Sequence, residues 1–127
     1  MRYKTITTIA AILTFVNAIF FLIVPVFSLF LLGRTTNLTG QMMMRESGAC
    51  AFGLGLITWS MRKSNLPEVQ RVVLLGNLVV FGILVFIDLH GLITNAINMV
   101  GWIIFSADLL LFLAFILSIF TGGGGLK

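Results

Sequence analysis

Four long apolar segments, at residues 6–32, 42–61, 72–89 and 96–119, constrain the fold of this chain more than any other feature. A helix rises ~1.5 Å per residue, so about 20 residues cross the ~30 Å hydrocarbon core of a bilayer. With 59% hydrophobic and 9% charged residues, a water-soluble domain would expose one continuous apolar surface. The sequence therefore predicts an all-α integral membrane protein in which residues 1–121 form a single four-span domain.

Short polar connections separate the segments and predict their arrangement. Residues 33–40, 62–67 and 90–95 are polar or break helices. Since the longest connection, residues 62–71 between the second and third segments, has about ten residues, it cannot cross a bundle, and we expect four antiparallel helices in up-down-up-down order. Pro25 removes one backbone donor and predicts a kink in the outer third of the first span. Residues 122–127 contain four consecutive glycines and are expected to form a flexible tail.

Basic residues are distributed unequally between the two sides of this arrangement. Six of the eight lie on the side of both termini, namely Arg2, Lys4, Arg62, Lys63, Arg71 and Lys127, whereas Arg34 and Arg45 lie on the other. Because basic loops stay in the cytoplasm, we expect both termini there and a multi-pass protein of the inner or plasma membrane. Basic residues scattered through loops form no face for nucleic acid, so we exclude it as a partner.

Small residues mark the second segment as the helix that packs most closely against its neighbours. Small side chains recur every four residues along it, which lets helix backbones approach closely in lipid. The residues expected to pack are Ser47, Gly48, Ala51, Gly53 and Gly55. Cys50, the one cysteine, cannot form a disulfide within the chain and is interpreted as a small, inert core residue.

Charged residues near the outer boundary of the second and third segments form the first candidate site. Counted at ~1.5 Å per residue, Arg45, Glu46 and Asp88 lie at similar depth, with His90 just above Asp88. A charge inside hydrocarbon costs at least ~2.5 to 3.5 kcal/mol, so we expect these groups to face one another. Because Glu46 points ~100° away from Arg45 on the same helix, Asp88 is the predicted partner of Arg45.

Several interpretations of this cluster remain open. It is either a structural ion-pair network or the lining of a pocket for the anionic or polar head group of a lipid or quinone. In the second case Arg45 binds the anion and His90 exchanges a proton. Glu46, Asp88 and His90 also have the ligand types of a metal site, without a diagnostic spacing, and one histidine can supply an axial ligand to a haem-type metal. We predict neither a bound metal nor a cofactor.

Three further polar residues, Asn17, Asn77 and Asp108, are predicted to be buried and structural. Asn17 and Asp108 both lie near the membrane midplane, about 16 Å from a boundary. With no basic residue at that depth, we expect the Asp108 carboxyl to be protonated and to donate a hydrogen bond to Asn17 or to a backbone carbonyl. Asn77 is level with Thr58 and shares one helical face with Asp88.

The order of these features resembles a known group of membrane proteins. Arg45 and Glu46 open the second segment ahead of the sequence GACAFGLGLITW, Asp88 and Gly91 close the third, and a tryptophan precedes an apolar fourth. This pattern resembles the DoxX-like proteins and the neighbouring small four-helix families of unknown function. Some DoxX-like proteins are subunits of quinone-linked oxidoreductases, so the resemblance implies an accessory or quinone-adjacent role.

The polar inventory predicts a function without catalysis. The sequence contains no nucleophile-base pair, CxxC motif, phosphate-binding loop or HExxH motif, and its loops are too short for an extramembrane domain. We therefore expect a non-catalytic accessory or self-associating subunit whose partners are the bilayer and other membrane subunits or itself. The alternative is a binding protein or transporter for a lipid-like or quinone-like ligand at the outer polar cluster.

Overall fold

Five α-helices account for most of the chain in a computed structural model that describes residues 2–121. They are α1 (Tyr3–Ile23), α2 (Pro25–Leu31), α3 (Leu38–Met61), α4 (Pro67–Ile93) and α5 (Gly101–Phe120). Residues 2–121 contain no strand, so the predicted all-helical class is confirmed for this part of the chain. The helices α1, α4 and α5 are long and apolar enough to cross a membrane. The glycine-rich tail predicted at 122–127 lies outside the described residues.

The first predicted span is two helices rather than one kinked helix. The break falls at Val24, whose φ of −130° and ψ of 56° are not helical, and Pro25 begins α2. Proline has no N–H to donate and its ring crowds the preceding turn, which explains a break at this position. Ser28 links the two helices across the break, because its hydroxyl donates to the carbonyl oxygens of Val24 (3.0 Å) and Phe20 (3.2 Å).

Helix α1 packs antiparallel against α3 along most of its length. The Tyr3 hydroxyl donates to Met61 O (3.0 Å) at one end, and two glycines of α3 meet α1 further along. A Cβ atom on Gly55 would lie 3.1 Å from the Phe15 ring, and one on Gly48 would lie 3.1 Å from Ala18 O. The two glycines are seven residues apart and therefore share one helix face.

The predicted packing residues of α3 do not all lie at this interface. Gly48 and Gly55 are buried against α1, Ala51 is half-buried, and Ser47 is exposed. A Cβ atom on Gly53 would meet nothing within 4 Å. Of the predicted four-residue repeat, Gly55 therefore lies at the contact with α1, and Gly48 adds a second close approach seven residues before it.

Helix α4 packs antiparallel against α5, and this pair supplies most of the core. The rings of Phe81 and Phe115 stack with centroids 5.8 Å apart, and Gly82 lies against the ring of Phe112. The Phe81 and Phe115 rings belong to one buried apolar cluster. Its other members are Tyr3, Ile6 and Ala10 of α1, Val73 and Leu74 of α4, and Leu111 of α5. The cluster lies toward the end of the molecule where α1 and α4 begin, which we call the Tyr3 end.

A buried asparagine joins the two helix pairs. Asn77 of α4 is only 1% exposed, and its Nδ2 donates to Thr58 Oγ1 of α3 (3.0 Å) and to Val73 O (2.9 Å). Burial of an amide without such partners is costly, so this bond selects one register of α3 against α4. Asn77 and Thr58 are thus in direct contact across the two helices.

Candidate ligand-binding cavity

A cavity of about 240 Å³ lies between α1, α2, α4 and α5, toward the end of the molecule opposite Tyr3. Most of its walls are aliphatic or aromatic side chains, and four polar side chains interrupt them. The polar residues are Asn17, Ser28, Asp88 and Asp108, and the apolar ones include Phe20, Phe21, Leu31, Leu84 and Ile104. An apolar hollow with a few convergent polar groups is the usual form of a small-molecule site.

Two aspartates from different helices meet in this cavity. Asp88 of α4 and Asp108 of α5 lie within side-chain hydrogen-bonding reach of each other, and Asp108 is only 6% exposed. Asp88 Oδ2 is buried and accepts no hydrogen bond from the described residues. The contact requires a donor, which a proton on one of the two carboxyls would supply.

Their surroundings favour a single shared negative charge. No basic side chain is among the described residues that line the cavity. Two carboxylates within hydrogen-bonding reach of each other in a poorly solvated site repel strongly. One proton held between them is therefore the favoured state. A bound molecule that brings a hydrogen-bond donor would satisfy the oxygen that now lacks one.

Asp88 and Asp108 lie at the same level, which corrects the difference in depth counted from the sequence. Asp88 lies five residues before the end of α4 at Ile93, and Asp108 lies seven residues after the start of α5 at Gly101. At ~1.5 Å per residue these positions are about 8 and 10 Å from the same reversal, and so they are level. The error came from the helix ends, because α4 continues beyond residue 89 and α5 begins only after residue 100.

Asn17, which was predicted to be buried, is exposed, and it borders both this cavity and a second one. A hollow of about 220 Å³ on the α3 side is lined by Asn17 and Asp108, together with Ser47 and Ala51. Asn17 and Asp108 therefore line both hollows. The carboxyl within hydrogen-bonding reach of Asp108 is nevertheless that of Asp88.

The predicted outer cluster of four charged or titratable residues is dispersed. Arg45 is exposed and lines a groove with Gln41 and the first residues of α2, so it does not pair with Asp88. Glu46 and His90 are also exposed. His90 is two residues from Asp88 and thus about 200° round α4, which turns it away from the cavity. Residues 2–121 contain no group of three or more His, Cys, Asp or Glu placed to hold a metal ion.

An exposed side of α3, centred on Ala49 and about 110° round the helix from the Gly48–Gly55 contact with α1, carries these charges. Arg45, Glu46, Ala49 and Cys50 are all exposed there, with Gly53 between them and open space beside it. Cys50 is therefore not the core residue that we expected. The error has a simple cause, since a small apolar residue in a hydrophobic helix gives no indication of which side it faces.

A group of polar contacts, which we call the clasp, holds the chain together at the end of the molecule next to the cavity. The Arg34 guanidinium donates to the carbonyl oxygens of Asn95 and Ala96. In the opposite direction, Asn98 Nδ2 donates to Leu31 O (2.9 Å) at the end of α2. The clasp, defined by Arg34, Asn95, Ala96 and Asn98, ties α2 to the α4–α5 reversal and adjoins the cavity at Leu31 and Val100.

Sequence reasoning missed the clasp and Ser28. Arg34 was assigned only to a loop, and the partners of its guanidinium are backbone carbonyls more than 60 residues away, which no local pattern indicates. Ser28 had a recognisable signal. A serine three residues after a proline in an apolar helix can bond to backbone carbonyl oxygens near the interruption.

Comparison with protein-family models, curated proteins and solved structures finds no match for this chain. The cavity and the exposed face of α3 are the two features of the described residues that bear on function.

Proposed function

We propose that the chain is a four-span protein of the inner or plasma membrane, with both termini in the cytoplasm. The candidate spans α1, α4 and α5 support this, together with the antiparallel contact of α3 along α1. Helices that pack side by side over 20 residues share the same depth, so α3 would lie in the bilayer even though it is less apolar. The excess of basic residues at the Tyr3 end supports the orientation.

Within that setting, we propose that the protein binds a lipid-like or quinone-like molecule in the cavity and performs no catalysis of its own. The single observation that carries the proposal is the apolar hollow with Asp88 and Asp108 facing each other in its wall. A volume of about 240 Å³ is below the ~300 to 1,000 Å³ of pockets that enclose a drug-sized ligand. The cavity would therefore hold a head group or ring while the hydrocarbon tail lies in the bilayer.

The wall chemistry favours a head group that donates hydrogen bonds. An acid pair that shares one negative charge attracts hydroxyl or ammonium groups and disfavours anions. Arg45, which the sequence suggested as an anion-binding residue, is absent from the described lining. We therefore propose a neutral or cationic head group, such as a quinol hydroxyl, rather than a phosphate or carboxylate.

A binding titration with a matched pair of variants tests this function. The side chain of Ile104 lines the cavity, whereas its neighbour Ile103 is 71% exposed. Titration of the detergent-purified protein with a short-chain alkyl quinol should give saturable binding in the wild type and in Ile103→Trp. Ile104→Trp fills the cavity and should lose that binding while it keeps a normal helical circular dichroism spectrum. Equal binding in the two tryptophan variants would contradict the proposal.

A second function, an accessory or self-associating subunit, is favoured by the exposed charges of α3. Arg45 lies seven residues after the start of α3, about 10 Å along the helix axis. A charged residue that faces lipid costs at least ~2.5 to 3.5 kcal/mol, which a partner helix would relieve. The resemblance to DoxX-like proteins also supports an accessory role. Gentle purification and native mass spectrometry distinguish the outcomes, since an accessory subunit should retain stoichiometric partner chains.

A further inference from the structure

We infer that two copies of this chain pair in parallel through the exposed face of α3, with Arg45 of each copy bonded to Glu46 of the other. The inference goes beyond ligand binding. It rests on the self-association proposed above and names its interface.

The angular positions on α3 suit a two-fold interface. At about 100° per residue, Arg45 lies about 40° to one side of Ala49 and Glu46 about 60° to the other. Both charges are exposed, and i,i+1 neighbours on a helix do not face each other, so they cannot satisfy one another within the chain. Opposite charges therefore flank the two small residues Ala49 and Gly53.

Charge complementarity identifies a second copy as the occupant. A two-fold axis parallel to α3 places the Arg45 side of one helix against the Glu46 side of the other. The two residues are adjacent in sequence and so at nearly the same height, which allows both cross-pairs to form at once. Each copy supplies the charge that the other lacks, and a paired arginine and glutamate no longer face hydrocarbon alone.

The middle of the face permits close approach of the two helices. Ala49 is exposed, and a Cβ atom on Gly53, one turn further along, would meet nothing within 4 Å of its own chain. Small residues four apart let transmembrane helices pack backbone to backbone. Long side chains such as those of Arg45 and Glu46 can then reach across the contact from both edges.

Charge reversal tests the cross-pairing. Arg45→Glu leaves only acids at this level of the face, and Glu46→Arg leaves only bases. Each variant alone should raise the dimer dissociation constant by about tenfold or more, because like charges then oppose each other. The two variants mixed together should form a heterodimer, and the double variant Arg45→Glu/Glu46→Arg should recover the wild-type homodimer. Förster transfer between differently labelled copies in phosphatidylcholine vesicles measures all four combinations.

A pair of glycine substitutions provides a check that does not involve charge. Gly53→Leu should abolish pairing, whereas Gly76→Leu should leave it unchanged. Gly76 is equally open, with nothing within 4 Å of a Cβ atom, but lies on α4. Circular dichroism of each variant shows whether the fold is retained, and both substitutions are at open positions.

Each result separates the inference from the function on which it rests. If the single charge variants remain dimeric and their mixture gains nothing, self-association stands but this interface is wrong. If the wild type shows no transfer between copies at any protein-to-lipid ratio, self-association itself is wrong. Quinol binding depends on the cavity and would survive either outcome.

Discussion

Replacing Gly48 by alanine is expected to weaken the contact between α1 and α3. The new Cβ atom would lie 3.0 Å from Phe21 Cβ and 3.1 Å from Ala18 O. A backbone oxygen cannot rotate away as a side chain can, so the two helices must separate by a few tenths of an ångström. Gly76→Ala is the matched control, because a Cβ atom there meets nothing within 4 Å.

Two opposing effects determine how much each alanine substitution changes the free energy of unfolding. Replacing glycine by alanine inside a helix stabilises by ~1 kcal/mol, and both variants gain this equally. Only Gly48→Ala also carries the cost of overpacking, about 1 to 3 kcal/mol. We therefore expect Gly48→Ala to be less stable than Gly76→Ala by about 1 to 3 kcal/mol. Unfolding in one detergent, followed by circular dichroism, measures the difference, and equal stability would refute the close approach of α1 to α3 at this point.

Three further predictions concern other contacts. In a double-mutant cycle, Asn77→Ala and Thr58→Val should couple by about 0.6 kcal/mol and by at most about 1.7 kcal/mol, the mean and the maximum for hydrogen bonds between membrane helices. Additive losses of stability would show that the bond contributes nothing. Arg34→Ala should speed amide exchange in residues 94–100 and leave the Tyr3 end unchanged, because the clasp is local; unaltered exchange would contradict its role. In a Cys50→Ala background, cysteines at Asn65 and Thr36 should react with an impermeant thiol reagent from opposite sides of the membrane, and reaction from one side would contradict the topology.

The sequence predicted those features that depend on local pattern. Apolar segments bounded by polar connections indicated long helices at about the right positions. Depths counted from the ends of the predicted spans placed Asn77 level with Thr58. Pro25 indicated an interruption in the first helix. Each of these features depends on the identity of a residue and on its distance along one helix, which the sequence contains directly.

The contacts that depend on the exact helix ends could not be predicted. Asp88 and Asp108 meet because α4 extends to Ile93 and α5 begins at Gly101, and an error of four or five residues at these ends moves an aspartate by about 6 to 8 Å. The sequence also did not indicate which side of each helix faces its neighbours. Gly48 and Gly55 face α1, which leaves Arg45 at the edge of this contact in a groove beside α2, and many residues of α3 were small enough to have taken the place of the two glycines.

Native mass spectrometry of the protein extracted from membranes in mild detergent tests the central claim, that the cavity binds an amphipathic molecule, most directly. The wild type and Ile103→Trp should each carry one lipid-like adduct per chain that survives removal of the detergent. Ile104→Trp, which fills the cavity, should be free of it at the same collision energy. Retention of the adduct by Ile104→Trp, or its absence from the wild type, would contradict the claim.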